Sequence, residues 1–157
     1  MSVPRDTPVQ WADLNRDCFG CGPANDAGLQ LESYYDADDE ALVATFDPDP
    51  IYTSGIPNVM HGGTIASLID CHSIWTAAVF THEAEGVPIE RRRIRYVTAK
   101  LEVEYLEATP MDEPIHLRGE VDSDVGRKVS VTTTLGPDGE TTARGEVLAI
   151  EVSDYFS

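Results

Sequence analysis

His61-Gly62-Gly63 stands at the head of the most apolar stretch of the chain, VMHGGTIASLIDCHSIWTAAVF, residues 59–80. If a helix starts there, Gly62 and Gly63 leave backbone N–H groups uncovered at its N-terminus. The partial positive charge at that end suits an oxyanion or a polarised carbonyl. Asp70 is the one carboxylate in the stretch. Burying an ionised carboxylate without partners costs several kcal/mol, so Asp70 either has a hydrogen-bond or arginine partner in the core or does chemistry. Ser67 and Ser73, one helical turn away on each side, add a small polar stripe. An acid or nucleophile together with an electrophilic hole makes two halves of an acyl-transfer site. At about 1.5 Å rise per residue the halves lie roughly 11–13 Å apart along one helix. A second subunit must therefore bring its own Asp70 to the hole, or a bent substrate must bridge the two.

Two other clusters bear on chemistry. Arg91-Arg92-Arg93, with Arg95, is the basic cluster of a chain whose formal charge is −17. It is either a solvated, salt-bridged loop or a clamp for phosphate groups, which guanidinium forks match. Cys18 and Cys21 form a C-x-x-C without the second ligand pair that a zinc site needs, and Cys71 falls in the apolar helix, where packing is expected. No metal and no cofactor are expected. His72, His82 and His116 show no partner spacing and read as packing or surface residues.

The surrounding elements are those of one α+β domain. PVQWADLNRD, residues 8–17, reads as a short amphipathic helix. Strands are expected around Leu29–Leu31 and Leu42–Phe46 on either side of an acidic turn at Asp36–Glu40. The long helix follows from Ile65 to near Glu83, ended by Gly86-Val87-Pro88. Four strand-like runs come after it: IRYVTAKLEVEYLEA, PIHLRGEVD, RKVSVTTTLG and ETTARGEVLAIEVS. One helix serving a whole antiparallel sheet argues for α+β. A helix apolar on nearly all sides needs a sheet that curls around it, a second subunit, or both. In the LEVEY run, Leu101, Val103 and Tyr105 alternate with Lys100, Glu102 and Glu104 as in a half-buried strand. With 28 acidic against 11 basic residues, the surface repels nucleic acid and anionic membranes. The apolar run is interrupted by polar residues and the N-terminus lacks a signal-peptide core, so a cytoplasmic protein without a membrane span is expected.

These residues resemble the hot-dog-fold acyl-CoA thioesterases of the phenylacetate-pathway type, within the 4-hydroxybenzoyl-CoA thioesterase superfamily. The matching pattern is His61-Gly62-Gly63, the spacing to Leu68-x-Asp70, Thr98 seven residues before Tyr105, and the lead-in CFGCGPANDAGLQL. The likeness covers about residues 18–152, and the whole of 1–157 is read as a single hot-dog domain with 1–17 as an N-terminal extension. It implies an antiparallel sheet around one central helix, an acyl-CoA substrate, and a homodimer or homotetramer. It gives Gly62, with Gly63, the thioester carbonyl to bind, and His61 the shaping of that hole. It makes Asp70 of the opposite subunit the nucleophile or general base, with Thr98 orienting the acid or water. Asn58, Arg91, Arg92 and Arg93 fall to substrate binding. Where some relatives carry an Asn six residues before the His, this chain has Gly55, and Asn58 is out of register. A hot-dog dehydratase or hydratase and a non-catalytic acyl-CoA-binding module are the rival readings. The spacing from the glycines to Asp70 argues against the first, and the presence of Asp70 in a costly position argues against the second.

Overall fold

The computed structural model describes residues 2–13 and 16–152. Two short strands, β1 (Ser33–Asp36) and β2 (Ala41–Phe46), precede the long helix α1 (Gly62–Glu85). Four strands follow: β3 (Tyr96–Tyr105), β4 (Ile115–Val121), β5 (Lys128–Gly136) and β6 (Ala143–Glu151). They form a single antiparallel sheet in the order β1-β2-β4-β5-β6-β3. The expected α+β succession therefore stands, and α1 starts three residues earlier than its apolar pattern indicated. His61 caps it, its Nδ1 accepting from the Thr64 N–H. Gly86, at φ 65°, ends it in the left-handed conformation that favours glycine.

The sheet curls around α1, which buries Ile65, Leu68, Ile69, His72, Trp75, Thr76 and Val79 among its core residues. The N-terminal segment covers the helix from the other side. Val3, Val9, Leu29 and Leu31 are all buried in the same cluster. Leu29 and Leu31 precede β1 rather than forming it. The expected helix over 8–17 is a single 3₁₀ turn, Val9–Ala12, and Leu14 and Asn15 lie outside the described residues. One chain thus encloses most of its own apolar helix, and that apolarity does not by itself demand a partner.

A buried polar chain ties these layers together. Gln10 Nε2 donates to Ser33 Oγ, which lies 2.9 Å from His72 Nδ1, and His72 Nε2 lies 2.7 Å from the Leu42 carbonyl. The Ser33 N–H closes the chain back onto Gln10 Oε1. Both nitrogens of a fully buried imidazole are satisfied this way, which removes the usual penalty for burying it.

The strand β3 departs from expectation. It sits at the sheet edge, paired only with β6, and most of its length is exposed. Val97, Leu101 and Tyr105 are 44%, 36% and 52% exposed, so the strand expected to be half-buried leaves apolar side chains uncovered. A ten-residue edge strand also presents an unpaired row of backbone N–H and C=O groups. No helix among the described residues is long and apolar enough to cross a membrane.

Candidate functional site

Asp70 lies on α1 half-buried rather than enclosed, and Thr98 of β3 meets it: Thr98 Oγ1 donates to Asp70 Oδ1 at 2.5 Å. The hydrogen bond uses one carboxylate oxygen and leaves Oδ2 for other work. The polar stripe expected around Asp70 is only partly formed. Ser67 bonds back to the Gly63 carbonyl at 2.9 Å, while Ser73 turns into the core to meet Thr133 Oγ1 at 2.7 Å.

The start of α1 is built by its flanks. The His61 N–H donates to the Tyr52 carbonyl and the Met60 N–H to the Thr109 carbonyl, which fixes the direction in which the chain enters the helix. Because His61 Nδ1 accepts from Thr64, the neutral ring carries its proton on Nε2, on an exposed side chain. The ring folds back over Gly63, where a Cβ would stand 2.7 Å from His61 Cε1. Any larger residue at 63 would dislodge the cap. The N–H groups of Gly62 and Gly63 belong to the first turn, which no helical carbonyl reaches.

Tyr105 joins this end of the helix to β3, its hydroxyl donating to the Gly62 carbonyl at 2.7 Å. The sequence shows Tyr105 at a fixed distance from Thr98 but gives no sign of this contact. A β-bulge brings it about. The register of β3 against β6 shifts between Thr98 and Lys100. Before the shift Tyr96 and Thr98 face α1, reaching Thr81 and Asp70; after it Tyr105 does, reaching Gly62. One strand thereby holds the helix at both Asp70 and Gly62. A surface cleft lined by Tyr34, Arg118 and neighbours on β2, β4 and β5 includes neither Asp70 nor Thr98 nor His61.

The remaining expected residues separate. Asn58, at φ 57°, spends its side-chain oxygen on the Met111 N–H at 2.9 Å, a loop-fastening role. Arg93 is withdrawn from solvent: its guanidinium stacks 4.0 Å over the Trp75 ring and its Nε lies 3.5 Å from Asp13 Oδ2. Burial pulls it down to about 10, which still leaves it charged at neutral pH. Arg95 forks onto both oxygens of the same Asp13, at 2.8 and 3.3 Å. The expectation that Arg93 contacts phosphate is therefore corrected, because a buried acid and an indole already occupy it. Arg91 and Arg92 are exposed beside the C-terminal end of α1, and Arg92 reaches Glu85 only at 3.9 Å. Trp75 is a core residue, and Phe80, partly buried, packs against the core edge-on to Tyr35. Cys71 does not simply pack: its sulfur lies 3.8 Å from that of Cys18.

Comparison with known proteins gives a consistent picture. The family model described as the thioesterase superfamily matches residues 57–135, a span that includes the helix start, Asp70, Thr98 and Tyr105. A thioesterase superfamily protein from Shewanella loihica is 36% identical, covering 78% of this chain and 90% of that one, with a TM-score of 0.62. A phenylacetic acid degradation-related protein from Ralstonia eutropha shares the fold at 15% identity, with a TM-score of 0.64 and coverage of 82% and 89%. A Bacillus halodurans protein whose crystal structure was determined with CoA shares it at 20% identity, with a TM-score of 0.58 and coverage of 79% and 75%.

Proposed function

The chain belongs to the thioesterase superfamily and has its hot-dog fold, and from that premise we propose that it hydrolyses an acyl-CoA thioester to a free acid and coenzyme A. The observation that carries this reading is the Asp70 carboxylate held by Thr98 on the helix whose N-terminus is capped by His61. The CoA bound to the Bacillus halodurans protein of like fold supports CoA as the thiol half of the substrate.

In this account the thioester oxygen sits at the first turn of α1, where the N–H of Gly62, with that of Gly63, stabilises the negative charge that develops on it. The His61 Nε2–H adds a donor from the side. Asp70 Oδ2 supplies the attacking electrons in one of two ways. It attacks the carbonyl carbon itself and forms a mixed anhydride that water then cleaves, or it takes a proton from a water that attacks. Either way the C–S bond breaks and coenzyme A leaves as a thiolate. A single turnover in ¹⁸O-labelled water identifies the anhydride route when water opens the anhydride at the Asp70 carboxyl carbon, since the first molecule of acid then carries the enzyme's own oxygen and Asp70 takes the label.

Asp70 and Gly62 are eight residues apart on one helix, about 12 Å along its axis, too far to act on one carbonyl. The acid of one subunit therefore works with the helix start of another. The exposed edge and apolar side chains of β3 provide the surface on which two copies meet, giving a homodimer or a pair of dimers. Arg91 and Arg92 serve the phosphates of coenzyme A, local positive charge offsetting a field that otherwise repels it. The test is a panel of acyl-CoA thioesters with detection of released thiol. Turnover of at least one, with none on the matching oxygen esters, is the expected result.

A further inference from the structure

We propose that Cys18, Cys21 and Cys71 form a thiolate site for one zinc ion, which fastens the N-terminal segment to α1 one residue beyond Asp70. The three sulfurs all lie within 4.8 Å of one another, with Cys18 and Cys71 at 3.8 Å. A metal–sulfur bond of about 2.3 Å in tetrahedral geometry sets sulfurs roughly 3.8 Å apart, so this spacing is that of ligands sharing an ion. The three cysteines are free, and 3.8 Å is far beyond the ~2.05 Å of a disulfide bond. A disulfide would also use two sulfurs and give the third no purpose. Convergence of all three suits a thiophilic cation, which soft thiolates select.

The local backbone is shaped for this. Cys18 and Cys21 lie on a tight knuckle in which the Gly22 N–H donates to the Cys18 carbonyl at 2.8 Å. The Leu29 N–H to Phe19 and Leu31 N–H to Gly20 bonds clamp the knuckle against the following segment. Gly20 has to be glycine here, since a Cβ would stand 2.3 Å from Cys71 Sγ and push the third sulfur away. When zinc binds, each thiol still protonated releases its proton to solvent and all three become thiolates. Cys21 is buried, Cys71 half-buried and Cys18 exposed, so the fourth position of the tetrahedron opens to water on the Cys18 side.

The C-x-x-C alone did not predict this site, because its third ligand comes from a helix some fifty residues later in the chain. The inference does not depend on the hydrolytic reading above.

The test uses the full chain, reduced and stripped with a chelator, then titrated with cobalt(II) alone. One equivalent should give sulfur-to-cobalt charge-transfer absorption and the intense visible bands of a tetrahedral ion, and one equivalent of zinc should bleach them. Thermal unfolding should move to higher temperature with zinc and back with chelator. Cys71→Ser and the exposed, fold-safe Cys18→Ser should each weaken cobalt binding at least about tenfold while leaving the far-UV circular dichroism unchanged. Cobalt spectra that are weak, octahedral and equal in wild type and Cys71→Ser would overturn the proposal. So would protein isolated under reducing conditions that already carries a Cys18–Cys71 disulfide by mass, which would make the cluster a redox pair.

Discussion

Thr98 and Tyr105 are seven residues apart on one strand, yet both side chains reach the same helix, one at Asp70 and the other at Gly62. An odd separation puts two residues on opposite faces of a regular strand. The bulge between Thr98 and Lys100 restores them to one face, so that β3 braces α1 at the acid and at its N-terminus.

The first expectation concerns this brace. Thr98→Val keeps the shape and removes the donor to Asp70. A hydrogen bond to a charged group is worth about 1.5–3 kcal/mol, so kcat should fall roughly 10- to 100-fold with KM little changed. Thr98→Ser should recover most of the rate. A valine variant as fast as wild type would reduce Thr98 to a spacer.

The arginines should divide by role. Arg91→Ser with Arg92→Ser should raise KM for an acyl-CoA and leave kcat nearly unchanged. The effect should shrink with added salt or with a pantetheine thioester, which lacks the nucleotide phosphates. Arg93→Ala should instead cost stability, on the order of 1–2 kcal/mol, because it uncovers Trp75 and removes one of the two guanidinium groups that face Asp13, leaving Arg95 alone on it. Urea unfolding measures that loss. Equal KM values for the double variant and wild type would leave the nucleotide to be held elsewhere.

The edge of β3 should decide assembly. Val97→Lys with Leu101→Lys places charges on the exposed apolar positions and should leave the chain monomeric where the proposed wild-type assembly is a homo-oligomer, with hydrolysis lost and the fold retained. Sedimentation at micromolar concentration reads the outcome. A fully active monomer would refute the shared site.

Acid should expose His72. Burial pulls its folded-state value down to about 4, against about 6.5 in an unfolded chain. Below pH 6.5 the unfolded chain takes a proton that folded His72 refuses, so stability falls as pH falls, by up to about 1.4 kcal/mol per unit, and the loss levels off near pH 4. His82 is shifted in the same direction by burial. His72→Gln should flatten the decline between pH 6.5 and 5 relative to wild type, and parallel curves for the two proteins would show that other groups set the acid limit.

What could be read in the sequence follows a physical line. The strands β2, β4, β5 and β6 alternate regularly, and α1 is long, apolar and bounded by His61-Gly62-Gly63 and Gly86, so local pattern suffices for them. The pairing of Thr98 with Asp70 was reachable only through family resemblance, because extending the Leu101-Val103-Tyr105 alternation backwards puts Thr98 on the wrong face. A single bulged residue, without a glycine or proline to announce it, reverses that. Arg93 looked like its neighbours because nothing in a run of arginines tells which one Asp13 will claim from 80 positions upstream. The convergence of Cys71 with Cys18 and Cys21 is likewise a long-range event with no local mark.

The central claim is that Asp70 performs the chemistry, and Asp70→Asn tests it most directly. The amide keeps the size of the side chain and removes the charge. The rate of thiol release from the best acyl-CoA should drop at least about 100-fold while the sedimentation coefficient and circular dichroism stay those of wild type. A variant that hydrolyses the same thioester at near the wild-type rate would make Asp70 a structural partner of Thr98 and contradict the mechanism.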